Sequence, residues 1–558
     1  MEDKERKIIQ ETYLLQELDK LGQGSRFLWI IFAINMFTAV LDGMNCMSYV
    51  FITETPDYWC FIPQLVNANW TTDQLKSVFP VDKCQKYDYD YKNLTDLGYD
   101  KAIKSIEDLE LKPTTIQCTS FLFNDSKRHT IVNEWELVCE KNLYRANTFL
   151  VYALGMSFGS GILGTYSDRY GRKNSLIVSI ILQVVFGPLT AFVPWFWTYM
   201  ICRFFTGMSI SAMASSAYTL LSEVTQNNMR KSLSASIDST FSVGTFFLIG
   251  MAFLLSEWRY LQLALSCFVV PIVILICFTP ESPRWLISQN RHEEAQKIIE
   301  KYDESFVMPP ISIIKTSTIN KDSLSSLFVK SEKQKNFFYD NAESLRILFT
   351  NSDLRKKILI AYILFYVSSA IAYSLIFNSD YFKLDRFIYM SVIATTEMTA
   401  HFMALVLLIY LSCRKTLVLT YTIGFIFMTA ILIIPEESKS TMMGFALIAK
   451  FCLSIIYTSK LVLIAKLFPS SVKNTAMGTC ILFSEIGGFT APYIVDILGS
   501  VAYWAPTTLC GILSLFAGIL CLLIPRTKPQ DKSDFDVNRC RQKTGSDKIF
   551  NEVYSTNM

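Results

Sequence analysis

Long apolar runs separated by short polar stretches recur along most of the chain. They fall near 27–50, 144–166, 175–194, 197–220, 232–255, 260–279, 358–378, 387–411, 416–434, 441–464, 475–498 and 503–524. An α-helix of about 20 residues crosses the roughly 30 Å hydrocarbon layer of a bilayer, so each run predicts one membrane-spanning helix. The pattern predicts an all-α polytopic membrane protein with twelve transmembrane helices. Six lie on each side of a polar stretch at 281–357. The expected organisation is a cytoplasmic tail (1–26), a six-helix unit (27–280), a linker (281–357), a second six-helix unit (358–525) and a cytoplasmic tail (526–558).

Basic residues orient this pattern, because Lys and Arg concentrate in cytoplasmic loops. Arg169, Arg172 and Lys173 follow the second run, Arg230 and Lys231 the fourth, and Arg414 and Lys415 the eighth. The 281–357 stretch is also rich in Lys and Arg. Both termini are therefore expected in the cytoplasm and the 50–143 loop outside. Residues 1–25 are polar and mixed in charge, and the first apolar run, Phe27 to Ile52, is long enough to span rather than be cleaved.

The 50–143 loop carries its own marks of an external compartment. The sequons at Asn69, Asn93 and Asn124 all fall there, and the chain has no others. Cys60, Cys84, Cys118 and Cys139 sit in the same loop, where disulfides persist, with three connectivities open. Cysteines inside the runs, such as Cys267, Cys452 and Cys521, read as packing residues.

Composition agrees with a membrane protein. Of 558 residues 51% are hydrophobic and 18% charged, with mean hydropathy +0.30. Soluble domains average about 25% charged. The net charge of +3 makes no case for nucleic acid, and size and apolar content exclude a small disulfide scaffold and a disordered chain.

One polar segment has ordered spacing. Gly164-Thr165-Tyr166-Ser167-Asp168-Arg169-Tyr170-Gly171-Arg172-Lys173 follows the second run. Its glycines allow a tight turn, Asp168 is placed to meet a helix N-terminus, and Arg169 and Arg172 to bridge carboxylates. Such a cluster can latch one packing of two helix bundles and release another. The decapeptide resembles the loop signature of the major facilitator superfamily, and Arg203 with Gly207 resembles its next motif. Thr55-Pro56-Asp57-Tyr58-Trp59-Cys60, Glu134-Trp135-Glu136-Leu137-Val138-Cys139, Trp258-Arg259-Tyr260-Leu261-Gln262 and Pro280-Glu281-Ser282-Pro283-Arg284-Trp285-Leu286 resemble the organic cation/anion/carnitine transporters within it. The resemblance spans about Leu15 to Pro525. It implies two six-helix bundles that rock about a central cavity, gated by the decapeptide together with Arg203, Glu223, Arg230, Glu281 and Arg284. The matching sites of the second half are degraded: Ser412-Cys413-Arg414-Lys415 lacks the Gly and Asp, Lys466 replaces a Glu, and Pro525-Arg526-Thr527 replaces Pro-Glu-Thr.

Ionisable groups inside spans cost several kcal/mol unless paired or wet, which makes each a candidate for function. Asp42, Asp238, Glu397, His401, Lys450, Lys460 and Glu485 qualify. Lys450 is read as snorkelling to the outer interface. Glu485, before Ile486-Gly487-Gly488, stands where cation transporters resemble it with Asp and anion transporters carry Arg. A carboxylate there attracts an organic ammonium unless Lys460 takes it up in a salt bridge. Asp238 adds negative charge, while Lys460 and His401 oppose it. Phe365, Tyr366 and Tyr373 on the seventh run offer cation–π faces or simple packing.

The expectation is a plasma-membrane carrier of small organic cations or zwitterions working by alternating access in a lipid bilayer. An organic anion exchanger and a transport-inactive receptor of the same fold are the alternatives. No catalytic triad, metal-ligand cluster or phosphate loop stands out, so no enzyme activity, metal or cofactor is expected, and the oligomeric state stays open.

Overall fold

A computed structural model describes residues 24–68, 83–107, 114–123, 128–225, 227–302, 345–378, 385–435, 438–468, 470–502 and 504–524, with Tyr13, Leu14, Leu18 and Gln74 placed singly. Asn69, Asn124 and the Pro525-Arg526-Thr527 site lie outside the described residues, as does the side chain of Arg230.

The apolar runs form helices that continue into their polar flanks. In the first half these are α1 (Arg26–Met47), α2 (Asn142–Phe158), α3 (Arg172–Phe192), α4 (Phe196–Val224), α5 (Asn227–Leu254) and α6 (Trp258–Cys267, resumed as Val270–Phe278). A π-helical turn, Gly159–Leu163, joins α2 to a last segment, Gly164–Tyr170. The second half holds α7 (Ser352–Phe377), α8 (Arg386–Tyr410), α9 (Cys413–Ala430), α10 (Lys439–Leu467), α11 (Ser470–Val501) and α12 (Ala505–Leu523). Side-chain caps mark several starts: Ser25 accepts from Leu28 N, Asn351 from Asp353 N, and Asp385 from Phe387 N and Ile388 N.

Among the described residues eleven helices are long and apolar enough to cross a membrane. The exception among the long helices is α4, which buries Arg203, Thr206, Ser209 and Ser216. A helix surrounded by other helices can carry polar groups that a lipid-facing one cannot.

Packing is mainly within each half: α1 on α4 and α5, α4 on α2 and α3, α7 on α11, and α9 on α10 and α12. Two pairs cross between halves, α5 with α8 and α2 with α11. The core of the first half runs on into Ile376, Phe377, Tyr389, Met390, Met442 and Val495 of the second, all near the ends of their helices that lie beside the 50–143 loop. The rest of the second half has a separate core. The halves therefore meet at the loop end.

The loop itself departs from an all-α reading. Strand β1 (Tyr58–Cys60) pairs antiparallel with β4 (Phe121–Phe123), and β2 (Gln85–Tyr87) with β3 (Thr115–Gln117). Disulfides Cys60–Cys118 and Cys84–Cys139 choose one of the three connectivities. Asn93 is exposed in a short helix, Tyr91–Leu97. Two of the sequence motifs lock this loop to the helices. Glu134 Oε2 accepts from the Trp258 indole at 2.8 Å and Glu134 pairs with Arg259, while the Trp135 and Trp258 rings lie 5.5 Å apart.

Candidate functional site: two ends and a middle

At the end opposite the loop, Gly171 has φ +108°, and a Cβ there would collide with the Glu281 carboxylate. Only glycine meets both demands. Glu281 Oε1 accepts from the backbone N–H groups of Arg172 (2.9 Å) and Lys173 (3.1 Å), so it caps α3, where the helix dipole favours an anion. Arg172 gathers the other carboxylates: Glu223 Oε1 at 2.7 Å and Asp168 Oδ1 at 3.1 Å. The Trp285 indole donates to the Asp168 carbonyl at 2.9 Å.

Several expectations are corrected here. Glu281, not Asp168, meets the helix N-terminus, because the Pro283–Ser288 helix brings it there. Glu223 meets Arg172, and the expected Glu223–Arg230 pair falls on a side chain outside the described residues. Arg169 is exposed, 5.4 Å from the Tyr170 ring, so Arg172 alone of the two bridges carboxylates. Gly164 sits inside helix, and the tight turn is at Gly171. Arg284 lies beside Trp285, partly buried. Arg203 does not join this cluster. It is 20 residues from Glu223 on one helix, about 30 Å at 1.5 Å per residue, and lies 1% exposed over the Tyr152 ring at 4.7 Å.

At the loop end, contacts cross between halves. Arg145 of α2 ion-pairs with Asp496 of α11, Tyr493 hydrogen-bonds Asn147, and Arg386 donates to the Val50 carbonyl at 2.6 Å. Rings of Tyr49 and Phe149 pack on Phe377, and Phe51 and Phe253 on Phe387. The deepest cross-half contact is Cys46 Sγ to the Tyr373 hydroxyl, 3.5 Å. None of these named contacts joins the halves at the opposite end.

Between the two ends lie the intramembrane charges. Asp42 and Asp238 belong to α1 and α5 near their closest approach, where a Cβ on Gly43 would collide with the Phe241 carbonyl and one on Gly244 with that of Val40. Asp42 is one turn from Cys46. Glu485 is three residues before Gly488, which packs on the Tyr373 ring. The two carboxylates thus hang from opposite halves just beneath the Cys46–Tyr373 contact, and they feel each other electrostatically. Tyr457 of α10 is 46% exposed although mid-helix. Tyr152 is fully buried nearby, its hydroxyl without a hydrogen-bond partner among the described residues. Sequence reading missed both tyrosines, since nothing in a run of apolar and aromatic residues marks which ring looks inward.

Lys460 lies in the same region, its Nζ 5.0 Å from the Tyr457 ring. Lys460, 2% exposed, donates to Ser368 (2.7 Å) and Ser484 (3.3 Å) and lies 4.4 Å from the Phe365 ring, so Phe365 offers its face to the chain's own amine. No ion pair between Lys460 and Glu485 forms among the described residues. Lys450 does not snorkel: it is buried and meets Glu397 Oε1 at 2.7 Å. His401 Nδ1 lies 3.0 Å from the Thr458 hydroxyl, and Tyr366 bonds Thr490 at 3.3 Å.

Two helix bundles closed at one end around buried charge define a carrier of the major facilitator type. The chain belongs to the sugar (and other) transporter family, whose model matches residues 115–537. It is a transporter and not an enzyme. It is 27% identical over 546 residues to the organic cation transporter protein of Drosophila melanogaster, covering 94% of this chain and 96% of that one. It is 27% identical to organic cation/carnitine transporter 2 of Mus musculus, with 91% and 90% covered. A partially occluded inward-open structure of the xylose transporter XylE from E. coli matches 91% of this chain and 100% of that one, with TM-score 0.58 and 13% identity, a likeness of fold.

Proposed function

We propose that this chain is a plasma-membrane carrier that moves small organic cations or zwitterions by alternating access. On this reading twelve spans, α4 being the fourth, bring both termini to one side, and the Lys and Arg of the short loops make that side the cytoplasm and the 50–143 loop external. On that orientation the named contacts between the halves gather at the outer end, which is closed. The observation that carries the substrate's sign is the set Asp42, Asp238 and Glu485, three carboxylates drawn from both halves with no ion pair to any of them among the described residues, against the single amine of Lys460 beside Tyr457. A carboxylate in a medium of low dielectric attracts an ammonium strongly. Of the lysines that would favour an anion, Lys450 is neutralised by Glu397, and the one charge of Lys460, held by two hydroxyls, is outnumbered by the three carboxylates. Phe365, Tyr366, Tyr373 and His401 serve the same region by positioning. The Glu281–Arg172–Glu223–Asp168 cluster, with Gly164, Arg169, Gly171, Arg230 and Arg284 next to it along the chain, gates the inner end, while Arg203 serves the Tyr152 region nearer the outer end.

The test is uptake of labelled cations, zwitterions and anions into cells with matched surface expression. Glu485→Gln and Asp238→Asn are each expected to weaken cation affinity by about tenfold, roughly 1.4 kcal/mol, and that for a neutral analogue of similar size by much less. Equal losses for both would make these carboxylates structural. Uptake of anions alone would overturn the assignment.

A further inference from the structure

Glu54 follows α1 at the loop end and stands between two arginines. Its Oε2 lies 3.8 Å from Arg128 Nε and 3.6 Å from Arg386 Nη1. Arg128 belongs to the stem by which the loop returns to α2. It is 7% exposed and donates to the carbonyls of Ala252 (2.5 Å) and Leu255 (3.1 Å) at the end of α5, where the helix dipole favours a cation. Its guanidinium also lies beside the packed ring pair of Phe51 (5.7 Å) and Phe387 (5.9 Å), one from each half. Arg386 opens α8 and ties it to the Val50 carbonyl. The loop's stem, the end of α1 and the start of α8 thus share one carboxylate.

We propose that Glu54 is the joint through which the stem of the 50–143 loop takes part in closing the outer end of the carrier. Parting the halves at this end must draw Arg386 and Phe387 away from Glu54, Phe51 and Arg128. With Glu54 ionised the two arginines share a counter-charge and the closed packing holds. Without that charge they lose the partner they share, and their like charges oppose the closed packing. The inference rests on the orientation proposed above, and its test separates the two.

Cys46 reports the gate, because it is 2% exposed and lies directly beneath the seam against Tyr373. Its labelling by a membrane-impermeant thiol reagent applied to intact cells is compared across variants of equal surface abundance, with Cys46→Ser in each background subtracting the other thiols. Glu54→Gln is expected to speed labelling by about tenfold, a shift of roughly 1.4 kcal/mol in the closed–open equilibrium. Glu54→Gln combined with Arg128→Gln is expected to return most of the way to the wild-type rate, because the like-charge pair is gone. Glu54→Asp, with a shorter reach, gives an intermediate rate and serves if Glu54→Gln does not reach the surface. Unchanged labelling in the Glu54 variants overturns the joint. A double variant as fast as Glu54→Gln alone overturns the part given to the stem. Acceleration seen only in inside-out vesicles supports the joint and overturns the orientation instead.

Discussion

Gly171 and Glu281 show how much one position can decide. Gly171 must hold φ +108° and leave room for a carboxylate, so Gly171→Ala adds backbone strain and displaces the cap of α3. Strained residues of this kind cost about 1–3 kcal/mol, and the variant is expected to lose several-fold in folded yield, read by size-exclusion chromatography after extraction. Arg172→Ala acts differently. It leaves Asp168 and Glu223 facing each other without a cation, which is expected to reduce turnover about tenfold while surface abundance stays near wild type. Unaltered turnover would remove this cluster from gating. The ordered Gly, Asp and Arg spacing was legible in the sequence. Glu281 as the cap was not, because the partner is 109 residues from Arg172 and nothing local to either announces it.

At the scale of helices, α8 and α10 are joined by Glu397 and Lys450 inside the membrane. Removing one partner strands a buried charge, whereas removing both leaves no buried charge. Glu397→Gln and Lys450→Met are each expected to destabilise by about 3 kcal/mol, and the double variant by much less, measured as thermal stability in detergent. Additive losses would show that the pair is not coupled. The helices themselves were legible, since twenty apolar residues in a row have few other ways to satisfy their backbone in lipid. The loop's four strands were not, because three-residue strands carry no readable alternation and are held by disulfides and by pairing between distant segments.

For the molecule as a whole, the proposed orientation and substrate charge make linked predictions. Asn93 is exposed in a loop placed outside, so glycosidase treatment is expected to change the protein's mobility, and Asn93→Gln to remove one step of that change. Replacing Asn69, Asn93 and Asn124 together is expected to abolish it, and glycosylation that persists would contradict the topology. For transport without exchange, an inside-negative potential is expected to speed net cation entry, since one charge crossing 100 mV gains about 2.3 kcal/mol. Collapsing the potential with an ionophore checks this against a neutral analogue.

What the sequence determined by itself was the sum of local preferences: where the chain enters lipid, where Lys and Arg hold it to one side, and where cysteines and sequons gather. Each follows from the partitioning of a short segment between water, interface and hydrocarbon, which needs no knowledge of the rest of the chain. The tertiary structure decided which charges meet. Arg145 pairs with Asp496 across 351 residues, Lys450 turns inward to Glu397 rather than out to the interface, and Lys460 rests on Ser368 and Ser484 with no ion pair to Glu485 among the described residues. Those choices depend on the rotation and vertical register of helices far apart in sequence. A turn of 100° per residue carries a side chain from lipid to the interior, and no single helix fixes that angle alone.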